Sequence, residues 1–177
     1  MKLFQINAVH PIYKKCCSNF LYESQTLLEF KIQPDKEKYD TIGDLDHDYP
    51  IFMSSIKKNT KNPGSLTFYS KKEYEDKGAE LYKLSGIDAG FAIASDGDII
   101  SVHNSDTSVK GMGKILINLA KKQGGTKLDH FDLEPLNTIY SQAGFKEYDR
   151  YQWNDEYAPP GWDYEKYGRP DLVLRSL

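Results

Sequence analysis

Cysteine is nearly absent: the 177-residue chain has two, Cys16 and Cys17, side by side. Neighbours in an expected helix are badly placed for an ordinary stapling disulfide and lack metal-ligand spacing. They read as reduced, half-buried packing residues. Long apolar runs are missing as well. No stretch approaches the roughly 20 residues that span a bilayer, and Met1–Asn7 is too short and polar for a secretory signal, so a cytoplasmic protein without membrane contact is expected. A positive surplus is missing too, because 23 Lys and Arg stand against 26 Asp and Glu for a formal charge of −3. With no net positive field to neutralise phosphates, nucleic acid is not expected as a partner. There is no fixed-period repeat and no low-complexity tract.

What remains is ordinary globular material: 39% hydrophobic, 28% charged and 13% aromatic residues, the last raised by 13 tyrosines. A chain of this size buries one substantial core, so a single compact domain is expected. The best internal boundary is "KKNTKNPGS", residues 57–65, which combines charge, Asn, Pro and Gly. It divides an N-terminal segment, 1–61, packed on the core, from a core of 62–177.

Before the boundary, Pro11 starts a short expected helix carrying Ile12, Tyr13, Cys16 and Cys17, and Leu28, Phe30 and Ile32 alternate as in a strand. Asp48 and Pro50 read as the cap and first turn of a helix over Ile51–Lys57. After it, Leu66–Tyr69 is a short strand-like run, Ser70 and Glu73 form a capping box, and Ala79–Leu84 alternates. Gly90–Ala94 and Ile99–His103 flank Asp96-Gly97, which predicts a hairpin closed by a tight primed turn. From Gly111 the period becomes helical: Met112, Ile115, Leu116 and Leu119 share one face, Lys114, Asn118, Lys121 and Lys122 the other, until Gly124 and Gly125. A strand over Lys127–Asp132, a helix opened by Pro135 with Leu136, Ile139, Tyr140 and Ala143 buried, and strands over Phe145–Trp153 and Asp171–Leu177 follow. Asn154–Pro170 is too rich in Pro and Gly for regular structure. The order predicts a mixed sheet with helices packed on it.

The passage from the strand ending at His103 into Gly111-Met112-Gly113 carries the main chemical signal. A helix start concentrates unpartnered N–H groups and about half a positive charge, and a phosphate satisfies both. Glycine at 111 and 113 lets a pyrophosphate approach the backbone, and Lys110 and Lys114 add cationic charge. A strand–helix connection using glycine only for close packing is the plain alternative.

Asn137, Tyr140, Gly144 and Phe145 in "NTIYSQAGF", together with the glycine loop, resemble the GNAT superfamily of N-acetyltransferases over roughly Ala79 to Leu177. The C-terminal wording also looks like acetyltransferase-like domains of phage and mobile-element proteins. The resemblance implies an α/β (α+β) fold, a mixed and mostly antiparallel sheet flanked by helices, with acetyl-coenzyme A as co-substrate. It implies that the backbone of Val109, Lys110, Gly111, Met112, Gly113 and Lys114 holds the pyrophosphate, that the strand edge at Val102 and His103 pairs with the pantetheine arm, and that Asn137 lies beside that arm. Tyr140 would face the thiol as proton donor, and a small-molecule or protein amine would attack the thioester directly. A second copy of the chain is a candidate partner.

The sequence departs from the family pattern twice. Ser108 replaces a long Arg or Gln donor before the first glycine, and no glutamate precedes the loop as general base. His103 is the nearest substitute base, by its ordinary pKa near 6.5, or else it caps the strand end. The departures leave open a catalytically inactive GNAT-fold binding or inhibitory protein of phage or mobile-element origin. Asp44, Asp46, His47 and Asp48 read as a solvated turn rather than a cation site. Asp129, His130 and Asp132 alternate along a strand and cannot converge. Tyr157, Trp162, Tyr164 and Tyr167 make either a lid over a cationic acceptor or a wrap on the sheet edge.

Overall fold

The computed structural model describes residues 45–59, 66–84, 86–106 and 110–177. The expected Pro11 helix, the Leu28–Ile32 strand, the cysteine pair, Asp44, Ser108 and Val109 lie outside them. The elements are α1 (Leu45–Lys57), α2 (Lys71–Asp76), β1 (Glu80–Lys83), β2 (Ala89–Ile93), β3 (Ile99–Asn104), α3 (Met112–Lys122), β4 (Lys127–Phe131), α4 (Leu136–Gln142), β5 (Lys146–Tyr151), α5 (Tyr164–Tyr167) and β6 (Leu172–Ser176). The architecture is mixed α+β. Two three-stranded antiparallel sheets, ordered β1-β2-β3 and β4-β6-β5, carry the helices.

Strands β3 and β4, joined through α3, run parallel but touch at a single bridge between Asp98 and Lys127. Beyond it, among the described residues, β3 pairs only with β2 and β4 only with β6, so the two sheets part. One core lies under both sheets on the α3 and α4 side, where Phe91, Leu116, Leu128, Phe145 and Tyr140 pack together. A second core covers the other face of the first sheet, with Phe52 and Ile56 of α1 and Tyr74 of α2 against Leu81, Ala92 and Ile100. Both faces of β2 are therefore covered, which is why all five of its residues are buried and its sequence lacks polar alternation. Each large apolar side chain so buried contributes about 1.5–3 kcal/mol. Gly90 is required in this strand because a Cβ there would collide with the Tyr82 carbonyl. Among the described residues no helix is long and apolar enough to cross a membrane.

Local signals place most of these elements. The Ser70 hydroxyl accepts from the Glu73 amide at 3.3 Å and the Glu73 carboxylate accepts from the Ser70 amide at 2.6 Å, so the expected capping box opens α2. α3 buries Met112, Ile115, Leu116 and Leu119 as its periodicity requires, with Lys121 and Lys122 in the last turn, where the helix dipole favours cations.

Four expectations are corrected. Asn154–Pro170 is not wholly irregular, since it holds a 3-10 turn at Asp155–Tyr157 and α5 at Tyr164–Tyr167. α1 starts at Leu45, and Pro50 lies inside it rather than in its first turn. A proline near a helix start forfeits one hydrogen bond, and burial of Phe52, Met53 and Ile56 just after it outweighs that loss. Leu66–Tyr69 is not a strand; Leu66 and Tyr69 instead pack against the second core while Phe68 is exposed. The hairpin turn is not primed, since Gly97 (φ +83°) is left-handed and Asp96 is not. Ala94 N–H donates to the Asp98 carbonyl at 2.9 Å and Gly97 N–H to the Ala94 carbonyl at 2.9 Å, a three-residue loop that needs only one left-handed residue.

Candidate functional site

β3 is followed in the chain by the start of α3. Gly111, at φ +77° and ψ 5°, is the N-cap, and no side chain caps the helix. The Gly111 carbonyl accepts from Lys114 N–H at 3.2 Å and from Ile115 N–H at 3.4 Å, and the amides before them have no acceptor within the helix. Lys110, Gly111 and Lys114 are exposed, and Met112 is buried in the core. Gly113 serves packing as well: a Cβ there would stand 3.1 Å from Ile139 Cδ1 of α4. Of the β3 residues expected at the site, Val102 is partly buried against the α3 core.

Tyr140 is 8% exposed. Its ring lies 4.9 Å from that of His130. Burial, with a smaller contribution from the Asp129 carboxylate, pushes its hydroxyl up to about 12.

Asn137 is bonded within the protein. Its Nδ2 donates to Asp132 Oδ1 at 2.6 Å, and its Oδ1 accepts from Arg175 at 3.3 Å, so both ends of the amide are committed. Arg175, buried on β6, organises this region. It donates to His130 Nε2 at 2.9 Å, Ser141 Oγ at 3.1 Å and the Phe145 carbonyl at 3.3 Å. His130 in turn donates from Nδ1 to the Phe131 carbonyl at 2.7 Å and is a structural residue, its pKa lowered by burial first. Asp132 pairs with Arg150, and Asp129 stands on the opposite face of β4, as strand alternation requires.

His103 is corrected as a base. It is 2% exposed, on the α1 side of the sheet, with its ring edge-on to Phe52 at 5.1 Å. Its Nδ1 donates to the Ser101 carbonyl at 3.0 Å, which leaves Nε2 to accept from the Ser55 hydroxyl at 2.9 Å. Neither nitrogen is free for a substrate proton. Burial lowers its pKa to about 4, so the ring is neutral at physiological pH.

A separate open cavity of about 260 Å³ lies along β4, β6 and β5, lined by Asp98, Asp129, Tyr148, Tyr151, Leu172 and Leu174 among others. Desolvation raises the pKa of both carboxylic acids, and the Asp129 carboxylate raises that of Asp98 further while Lys127 opposes it. Of the aromatic residues of 154–170, Trp162 packs inward while Tyr157 and Tyr164 are exposed. Trp162, 7% exposed, donates from its indole to the Gly168 carbonyl at 2.9 Å and lies 4.7 Å from the Phe131 ring. Tyr157, by contrast, is 82% exposed. Among the described residues no group of three or more His, Cys, Asp or Glu could hold a metal ion.

Sequence reasoning missed Ser101, Tyr74, Ser55 and Arg175. Ser101 had a signal: apolar alternation breaks at Ile99-Ile100-Ser101, and the structure has a bulge there, in the pairing between Gly90 and Ala92. The others had none, because their partners are distant in sequence. No protein-family model matches this chain, and no curated protein matches it by sequence.

Proposed function

We propose that the chain is an acetyl-coenzyme A-dependent N-acetyltransferase of the GNAT kind acting on a primary amine, with the acyl donor lying in the gap between β3 and β4. One observation carries this: parallel strands that meet only at Asp98 and Lys127 part beside an uncapped helix headed by left-handed Gly111. An extended amide arm would pair with the free β3 edge, and a pyrophosphate would meet the first amides of α3 and the exposed Lys110 and Lys114. The donor set suits such a ligand, although Gly113 also makes room for Ile139.

Bound there, acetyl-coenzyme A supplies an activated acyl group. The protein's part is to orient it and to hold a proton at Tyr140 Oη. With that hydroxyl near 12 and an ordinary thiol near 8.5, surrendering the proton to sulfur costs about 5 kcal/mol. Tyr140 therefore acts as a hydrogen-bond donor to the departing thiolate rather than as an acid that gives its proton away. Asp98 and Asp129, with the faces of Tyr148 and Tyr151, attract the ammonium form of the acceptor against the opposing charge of Lys127. The ammonium sheds one proton to solvent before its nitrogen attacks the thioester, and the second proton lost from nitrogen goes to the departing thiolate, which leaves amide and free thiol.

A second reading, a catalytically inactive binding or inhibitory relative, is favoured by His103 and Asn137, whose polar atoms are consumed internally. Calorimetric titration with acetyl-coenzyme A separates the two. Gly113→Glu would also press on Ile139, so the cleaner variant reverses the exposed pair, Lys110→Glu with Lys114→Glu. Micromolar binding by the wild type, weakened about tenfold or more by the reversal, is expected. No binding by the wild type leaves only the second reading.

A further inference from the structure

Arg175 carries a full charge into a core position, since the inward, buried side chains of β6 are Val173 and Arg175. A guanidinium keeps its proton at any ordinary pH, and taking it out of water is costly unless a carboxylate pairs with it. Among the described residues none does. Its four hydrogen bonds go to neutral acceptors: from Nε to His130 Nε2 at 2.9 Å, from Nη1 to Ser141 Oγ at 3.1 Å and the Phe145 carbonyl at 3.3 Å, and from Nη2 to Asn137 Oδ1 at 3.3 Å. The carboxylates around it are taken. Asp132 accepts from Asn137 and pairs with Arg150, and Glu147, opposite Arg175 on β5, is also bonded to Arg150. An apolar side chain beside Val173 would fill the same space at lower cost.

What the guanidinium provides is geometry. Its planar fork holds several acceptors at once in fixed directions, which an apolar residue or a lysine cannot do. Three of the four acceptors bracket Tyr140 along the chain: Asn137 and Ser141 lie within α4, and Phe145 follows its glycine stop. The fourth, His130, lays its ring 4.9 Å from the Tyr140 ring. Burial above all, with the Arg175 charge adding to it, lowers the His130 pKa, so the ring stays neutral and Nε2 stays an acceptor. α4 depends on such ties. It has seven residues and no side chain caps its start at Pro135, and a helix that short does not hold by itself. Lys121 of α3 donates to the Ala143 carbonyl at its far end, and Arg175 fastens its body to β6.

We infer that Arg175 is a positioning residue: its guanidinium fixes α4 and the His130 ring so that Tyr140 Oη stands in one place, from which it donates to the departing thiolate. The inference rests on the acetyltransferase reading and on the part Tyr140 plays in it. It gives a task to a buried charge that packing alone does not require, and it explains why the Asn137 amide is bonded inside the protein.

The test uses the full chain and two ligands, coenzyme A and acetyl-coenzyme A, whose affinities are measured by calorimetry from about pH 6 to about pH 10. The two differ only at sulfur, so the ratio of their affinities cancels what pH does to the fold and to the phosphate site. A hydrogen bond from Tyr140 favours thiolate over thiol and lowers the thiol's pKa on binding. Coenzyme A therefore gains on acetyl-coenzyme A as pH rises, and the gain levels off above the free thiol value near 8.5. Tyr140, near 12, stays protonated throughout. The wild type should gain about tenfold or more, the weight of one hydrogen bond to a charged group. Tyr140→Phe and Arg175→Met should each leave less than about twofold, and the double variant should match either one, because the two act as a unit. Arg175→Lys, which keeps the charge and loses the fork, should fall with them, and it replaces the apolar variant if that one does not fold. A full gain in either Arg175 variant makes Arg175 part of the fold only and overturns the inference. No gain in the wild type, or a full gain in Tyr140→Phe, removes the thiol role of Tyr140 and overturns the inference while the binding site stands. Failure of the wild type to bind either ligand overturns the acetyltransferase reading itself.

Discussion

Taking the protein from pH 7 to pH 4 should cost the wild-type fold about 3 kcal/mol more than it costs a His103→Gln variant. In the folded protein His103 titrates near 4 rather than 6.5, chiefly through burial, with Lys83 lowering it further and Asp88 acting the other way. Its neighbours are the Ser55 hydroxyl, the Ser101 carbonyl and the Phe52 ring, none of which stabilises an imidazolium at Nε2 better than water does. Between the two pKa values the unfolded chain binds a proton that the folded chain refuses, so stability is present above the unfolded value and is lost as pH falls. The loss levels off once the folded ring also protonates. His130, lowered by burial, contributes with the same sign. Asp98 and Asp129, raised by desolvation, contribute with the opposite sign. Only the difference between wild type and variant isolates His103. Denaturant unfolding at a series of pH values gives that difference; parallel curves would mean that the imidazole is hydrated and titrates normally.

Trp162→Ala should lower stability by about 3–5 kcal/mol. For a chain of this length that corresponds to a fall in Tm of about 10 °C. The indole fills the space against Phe131 at 4.7 Å, Trp153 at 5.0 Å and Tyr167 at 5.2 Å, and its N–H is satisfied by the Gly168 carbonyl at 2.9 Å. Removing it leaves a cavity beside Phe131 at the end of β4 and an orphaned Gly168 carbonyl. A swinging cover over an acceptor site would behave differently, with thermal unfolding unchanged and only acceptor use impaired, and that outcome would refute the packing role.

Much of the chain's organisation was legible because it is written in neighbouring residues. The capping box at Ser70 and Glu73, the 3.6-residue period after Gly111, the Asp96-Gly97 turn region and the glycine stops are local, and local energetics carry them into the fold with boundaries shifted by a residue or two. Where a distant surface supplied the stabilisation, the sequence misled. Leu66–Tyr69 alternates like a strand but finds a hydrophobic seat instead of a partner. Pro50 looks like a helix start, yet burial on its C-terminal side carries the helix through it.

The candidate site divides the same way. By itself the sequence determined a glycine-headed amphipathic helix after a strand, the burial of Tyr140 on a helical stripe and the inability of Asp129, His130 and Asp132 to converge, since each follows from the pitch of one element. Only the tertiary structure decided that His103 and Asn137 are consumed by Ser55, Ser101, Asp132 and Arg175, and that a serine is held left-handed in β3. The bonds from His103 to Ser55 and from Arg175 to Asn137 join residues 48 and 38 positions apart, and the serine hangs on a backbone conformation that side-chain identity does not announce. Hydrogen-bond partners and desolvation are properties of the space around a group, and that space exists only once α1, α2 and the two sheets have closed on one another.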